Sequence, residues 1–226
     1  MTQQILEQNR ELVNRTKGEV LMASLNMYRS GLVAAVWGNV SARVPGTDLV
    51  VITPSGVDYE MLIEDMLCVI DLNSEEVVEG KFKPSSERLL HLAVYRARED
   101  VFGVMHTHSN YASAFSVAHK DIPPVVEDLA QVVGGSVTCS KYALPGTADL
   151  GKNVVKALGK KGAVLLANHG VVGVGHTVDE AFRTCLIVEK GAQIHAVAKM
   201  IGNPVLLSLD DVEHLRHEYR HSYGQK

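Results

Sequence analysis

The sequence predicts a single α/β domain built on a mainly antiparallel central β-sheet flanked by helices. Three observations predict it. Short apolar runs rich in β-formers are joined in pairs by turns of a few residues, the connection that antiparallel strands use. Stretches with helical spacing of apolar residues stand before, between and after those pairs. The 226 residues contain no internal repeat, no low-complexity tract and no linker long enough to separate domains. Residues 1–226 are therefore read as one domain with a substantial core.

In chain order, Leu12, Val20, Leu21 and Met27 recur at helical spacing over residues 4–30, and Gly31 follows as the C-terminal cap. Residues 40–43 and 48–53 form a hairpin around Pro45-Gly46, and 68–72 and 76–79 a second around Asn73-Ser74. A helix over residues 86–98 leads into the run Val101-Phe102-Gly103-Val104-Met105, a buried strand, and a short helix over 109–118 follows. After Gly134-Gly135 come a strand at 136–140 and a helix at 149–158. Strands 162–167 and 171–174 form a tight pair. A long helix spans 178–201 until Gly202-Asn203-Pro204 stops it, and a polar helix covers 210–222.

Composition narrows the function classes. A hydrophobic content of 46% with 21% charged residues is that of an ordinary globular protein. The net charge of −4, with no basic stripe and no RNP-like motif, argues against nucleic acid as a partner. No apolar stretch approaches the length of a membrane helix, and Met1-Thr2-Gln3-Gln4 lacks the blocks of a signal peptide. Cys68, Cys139 and Cys185 are isolated, with no C-x-x-C pair, which fits a reducing cytoplasm as the expected location.

The polar residues at strand ends carry the chemistry. His106 and His108 close the 101–105 strand, and residues i and i+2 of a strand point to one side about 6–7 Å apart. Two imidazoles so placed can converge on one divalent metal, although H-x-H alone fits equally well with one ring in a polar cavity and the other in solvent. A third ligand decides between these, and His169 in Asn168-His169-Gly170 stands at the end of the 162–167 strand. Three His ligands with an open fourth position are the pattern of a catalytic Zn2+ site, and tri-imidazole sites also accept Mn2+ or Co2+.

Pro84-Ser85-Ser86-Glu87 opens a helix. Its serines are capping residues in the simplest reading; in the functional one, exposed N–H groups and both hydroxyls form an anion pocket, with Glu87 aimed at the metal. Gly38-Asn39 after Trp37, and Thr53-Pro54-Ser55-Gly56, are good turns that also have the composition of a phosphate cradle. His214, His217 and His221 share one face of the last helix with Glu213, Arg216 and Arg220 nearby, and are read as a solvated face. His91, His119, His176 and His195 are read as structural or exposed. With no H-E-x-x-H and no G-x-S-x-G, hydrolase chemistry finds no support.

The motifs GNVSAR (38–43), TPSG (53–56), PSSE (84–87), HTH (106–108) and NHG (168–170) occur in this order over the middle of the chain. In that arrangement the sequence resembles the class II aldolase and adducin-head family, closest in its motifs to the fuculose-1-phosphate aldolases. The resemblance implies a three-layer fold with a nine-stranded, mainly antiparallel sheet, and a homotetramer with active sites at subunit interfaces. It implies His106, His108 and His169 as the metal ligands, and Gly38, Asn39, Thr53, Gly56, Ser85 and Ser86 around the phosphate of a small sugar phosphate. Glu87 falls where the aldolases have their acid/base glutamate and the epimerases an aspartate. Tyr223 resembles the C-terminal tyrosine of fuculose-type aldolases, which reaches the active site. One departure stands out: where those aldolases carry a second tyrosine, this chain has Asp128, with Glu127 beside it. The implied reaction is metal-dependent cleavage of a ketose 1-phosphate to dihydroxyacetone phosphate and an aldehyde, the cation stabilising the enediolate charge. The alternatives within the family are pentulose-5-phosphate 4-epimerase, dehydratase and decarboxylase, and outside enzymes an adducin-like interaction domain.

Overall fold

A computed structural model describes residues 2–224; Met1, Gln225 and Lys226, included in the expected domain, lie outside the described residues. Two N-terminal helices, α1 (Thr2–Gln8) and α2 (Arg10–Arg29), precede strands β1 (Asn39–Arg43), β2 (Leu49–Ile52), β3 (Cys68–Asp71) and β4 (Val77–Glu79). Helix α3 (Arg88–Ala97), strand β5 (Gly103–Thr107), helices α4 (Asn110–Val117) and α5 (Glu127–Val133), and strand β6 (Thr138–Cys139) follow. Helix α6 (Ala148–Leu158), strands β7 (Ala163–Leu166) and β8 (Gly170–Gly175), and helices α7 (Val178–Ile201) and α8 (Leu209–His221) complete the chain.

Among the described residues the strands form one eight-stranded sheet, in the order β4-β3-β2-β1-β5-β8-β7-β6, where the resemblance implies nine strands. Every neighbouring pair is antiparallel except β6 with β7. Side chains alternate across the strands and bury both faces. Val50, Ile52, Ile70, Val104, Val172 and Val174 pack with Leu90, Tyr95, Leu150 and Val154 of α3 and α6. On the opposite face, Val40, Val51 and Met105 meet Val20 and Met27 of α2 and Cys185 of α7. Leu165 and Val171 meet Leu129 and Val133 of α5 and Val188 of α7. The three layers are thus helix, sheet and helix.

The departures from the expected elements have local causes. The first helix is interrupted at Asn9, whose side-chain amide donates to the Ile5 carbonyl at 2.8 Å and competes with the helical ladder. The strand at 136–140 shrinks to two residues. Helix α5 was not expected: at seven residues it is too short to display a helical period, and its conformation follows from burying Leu129, Ala130, Val132 and Val133. Gly134 ends it at φ 77°, and Arg216 of α8 donates to the carbonyls of Gln131 and Val132, both at 2.6 Å. The polar helix at the C-terminus therefore docks on α5 and buries Val212.

Candidate active site

Strand β5 sits at the centre of the sheet, and its alternation turns Val104, His106 and His108 towards the α3 face while Met105 faces α2. The β7–β8 hairpin delivers His169 beside them, with Leu166 paired to Gly170 and Asn168 at φ 55° closing the turn. The three rings stand edge-on, with centroids 4.7 Å (His106–His108), 4.7 Å (His106–His169) and 4.9 Å (His108–His169) apart. One ligand nitrogen from each lies within 4.8 Å of the others. No other group of three or more potential ligands converges in this way among the described residues.

The donor set fits a divalent cation. His106 Nδ1 lies 3.0 Å from the Val171 carbonyl, which can only accept, so Nδ1 carries the proton and Nε2 presents a bare lone pair. That bare nitrogen faces His108 Nε2 at 2.8 Å and Glu87 Oε2 at 3.3 Å. Glu87 Oε1 stands 3.5 Å from His169 Nε2 and is buried without a hydrogen-bond partner. A cation held among the three rings would take up the bare His106 nitrogen and offset the charge of the buried carboxylate. Burial, then the His169 and His108 rings, hold the His106 imidazole well below its usual range, and burial with His169 lowers His108, so both stay neutral as ligands must.

Close backbone approach sets the spacing. A Cβ on Gly170 would lie 2.3 Å from the Thr107 carbonyl oxygen and 3.2 Å from both His106 Cε1 and His108 Cδ2. Gly170→Ala is therefore expected to cost about 1–3 kcal/mol and to weaken metal binding, checked by thermal unfolding with and without zinc; an unchanged variant refutes this packing argument. Gly38, at φ +98°, has the same constraint, since its Cβ would meet the His106 carbonyl oxygen at 2.9 Å.

Glu87 occupies the N-cap of α3, with its N–H donating to Ser85 Oγ at 3.2 Å. The Ser85 N–H donates to the Thr53 carbonyl, the Thr53 N–H to the Val40 carbonyl, and the Ser55 N–H to the Lys83 carbonyl. These bonds tie the turn that holds Thr53 and Gly56 to Ser85 and Ser86 at the start of α3. Asn39 pairs across the strands with His106, and its Nδ2 donates to Glu87 Oε2 at 3.0 Å. The residues expected to hold a phosphate and the three histidines are thus neighbours. Trp37, 64% exposed, lies near-parallel to the His108 ring with centroids 6.2 Å apart.

Two expected residues do not join this group within one chain. Asp128, in the first turn of α5, pairs with Lys190 of α7. Tyr223 is exposed and rests against Tyr219 at the end of α8. His217 and His221 stack on an exposed face, in line with the solvated reading of the last helix.

Of the two readings open for His91, structural or exposed, the structure shows the structural one. It is fully buried behind Glu87, with Nδ1 2.6 Å from Ser41 Oγ and Nε2 2.5 Å from Asn39 Oδ1. Its position one helical turn after Glu87 was the available signal. Burial, then the nearby His106, push its pKa down from 6.5 to about 3, while Glu87 acts in the opposite direction. Below pH 6.5 the unfolded chain takes up a proton that folded His91 refuses, so stability falls as pH drops from 6.5 towards 3. Urea unfolding of metal-free protein is expected to show a loss of up to about 1.4 kcal/mol per pH unit from this group. The loss should be shallower in His91→Gln, and equal slopes refute the assignment.

Residues 18–196 match the family described as Class II Aldolase and Adducin N-terminal domain. The chain is 35% identical over 215 residues to 5-deoxy-D-ribulose 1-phosphate aldolase of Bacillus thuringiensis serovar kurstaki, covering 95% of this chain and 100% of that one. It is 34% identical over 230 residues to L-ribulose-5-phosphate 4-epimerase of Salmonella paratyphi B, again with 95% and 100% covered. Among solved structures, L-fuculose 1-phosphate aldolase superposes with a TM-score of 0.88 at 33% identity, covering 91% of this chain and 96% of that one.

Proposed function

Given that the chain belongs to the class II aldolase and adducin family, we propose that it is a zinc-dependent aldolase that cleaves a ketose 1-phosphate to dihydroxyacetone phosphate and an aldehyde. The observation that carries this reading is the buried Glu87 carboxylate between Asn39 and the three imidazoles. His106, His108 and His169 would hold a divalent cation, which would supply Lewis-acid stabilisation for the negative charge that develops as the carbon–carbon bond breaks.

The chain's own residues supply the rest. The Asn39 amide, the N–H groups around Gly38 and Gly56, and the Thr53, Ser85 and Ser86 hydroxyls bind the phosphate at the start of α3, where the helix dipole favours an anion. Anchoring that end fixes the reacting carbon opposite Glu87. Glu87 then moves a proton to or from that carbon. Trp37 and the α3 N-terminus limit the access of water. Manganese or cobalt fits the same tri-imidazole set.

Asp128 and Tyr223 enter this reading through assembly: in a homotetramer with active sites between subunits, they serve the site of a neighbouring subunit. Mixing the inactive variants Glu87→Gln and Tyr223→Phe is expected to restore activity, because mixed tetramers contain sites with both residues intact. Activity that stays at the level of the separate variants refutes the shared site.

A second reading, 4-epimerisation of a pentulose 5-phosphate, draws on the relative of that activity at 34% identity. Incubation with ketose 1-phosphates and pentulose 5-phosphates, followed by mass detection, tests both. Dihydroxyacetone phosphate is the expected product, whereas an epimer, or a dehydrated or decarboxylated product, overturns the aldolase reading.

A further inference from the structure

We propose that His91 is a positioning residue that fixes which end of the Asn39 amide faces Glu87 and the phosphate pocket. The proposal rests on the reading of that pocket as a phosphate site beside a metal.

Five side chains form one buried file from the core to the site: Tyr95, Ser41, His91, Asn39 and Glu87. Asn39 and Ser41 are i and i+2 on β1 and so point to the same side. His91 lies one turn after Glu87, and Tyr95 one turn after His91, so that helix α3 aligns three members over the strand. The separations are 2.8 Å (Tyr95 Oη to Ser41 Oγ), 2.6 Å (Ser41 Oγ to His91 Nδ1), 2.5 Å (His91 Nε2 to Asn39 Oδ1) and 3.0 Å (Asn39 Nδ2 to Glu87 Oε2).

The direction of every bond follows from the last one. A carboxylate only accepts, so the Asn39 atom facing Glu87 is the NH2 group, and the atom facing His91 is the carbonyl oxygen. That oxygen only accepts, so His91 carries its proton on Nε2. Nδ1 is then bare and accepts from the Ser41 hydroxyl. Ser41 has spent its single proton, so Tyr95 is the donor to Ser41. Reversing the Asn39 amide would set its oxygen against the Glu87 carboxylate and would also require His91 to move its proton to Nδ1 and Ser41 and Tyr95 to reverse their bonds, so His91 ties the amide's orientation to the whole file. Both Asn39 donors therefore stay turned towards anions, one to Glu87 and one free for the phosphate.

An apolar side chain at position 91 would fill this site without the desolvation that burial of a polar ring entails. The polar file is what keeps the Asn39 amide from flipping.

Nitrogen-15 NMR of the zinc-loaded protein reads the His91 tautomer directly. A protonated Nε2 with a bare Nδ1 is expected; a protonated Nδ1 overturns the proposal whatever the protein catalyses. Titration with inorganic phosphate, followed through the fluorescence of Trp37, the single tryptophan, provides the functional arm. His91→Gln places a donor where Nε2 was and is expected to bind phosphate much as the wild type does. His91→Asn is too short to reach Asn39 and is expected to bind about 10–100-fold more weakly, the range for residues that orient a ligand's immediate partners. A folded His91→Asn with wild-type affinity overturns the proposal. Wild-type protein that binds neither zinc nor phosphate refutes the aldolase reading instead, and the tautomer still decides the orientation of Asn39. Where neither variant folds, the NMR result alone decides.

Discussion

His108→Ala is expected to lose bound metal and turnover together while keeping its fold. His108 lies just beyond β5 and is only half-buried, so truncation leaves no large core cavity, and the structural penalty is small beside the functional one. Two imidazoles remain, but a two-His set no longer closes three corners of a tetrahedral site. The Glu87 carboxylate is then left facing His106 and His169 without the cation that compensates it. Elemental analysis of the purified variant is expected to find little zinc, and product formation should fall by several orders of magnitude at ordinary metal concentrations. Trp37 loses its stacking partner, so its emission should also stop responding to added zinc. Circular dichroism is expected to show that the fold persists. A metal-free variant that turns over like the wild type would sink both the triad and the reaction assigned to it.

The convergence of His106, His108 and His169 was legible in the sequence because each stands at or next to the end of an apolar strand. A strand end fixes where a side chain points within one residue, and His106 and His108 could only share a face. Helix α7 was legible to its boundaries, residues 178–201, because Gly202-Asn203-Pro204 leaves no alternative stop. What remained hidden depends on contacts between elements distant in sequence. Helix α5 exists because α7 and α8 cover it, and seven residues carry too little pattern to announce that. The role of His91 was hidden for a similar reason. A histidine inside a helix with an apolar face is most simply a packed or exposed residue, and only the register of β1 beneath α3 brings Asn39 and Ser41 to its two nitrogens. Asp128 and Tyr223 mark a further boundary, since their proposed site lies on another copy of the chain, beyond what one chain's geometry contains.

Glu87→Gln is expected to separate binding from chemistry. Glutamine has the volume of glutamate and keeps one oxygen to accept from Asn39 Nδ2, so α3 should start at the same place and the triad should keep its metal. What disappears is the ability to hold and release a proton at the reacting carbon. General acid–base catalysis by one positioned group is worth about 10²–10⁴ in rate, so kcat should fall by that factor, a barrier increase of roughly 3–5 kcal/mol. KM and phosphate affinity should change little, because the phosphate contacts proposed above lie on Asn39, Thr53, Ser85 and Ser86. Exchange of the dihydroxyacetone phosphate carbon-bound proton with deuterated water isolates this step from the aldehyde half, and so from Asp128 and Tyr223. The variant should bind dihydroxyacetone phosphate yet exchange no proton, whereas wild type exchanges it readily. Exchange and turnover at wild-type rates in a zinc-loaded Glu87→Gln would remove the carboxylate from the mechanism. A variant that has lost zinc as well would instead mark Glu87 as a metal ligand first, in keeping with its 3.3 Å and 3.5 Å approaches to His106 and His169.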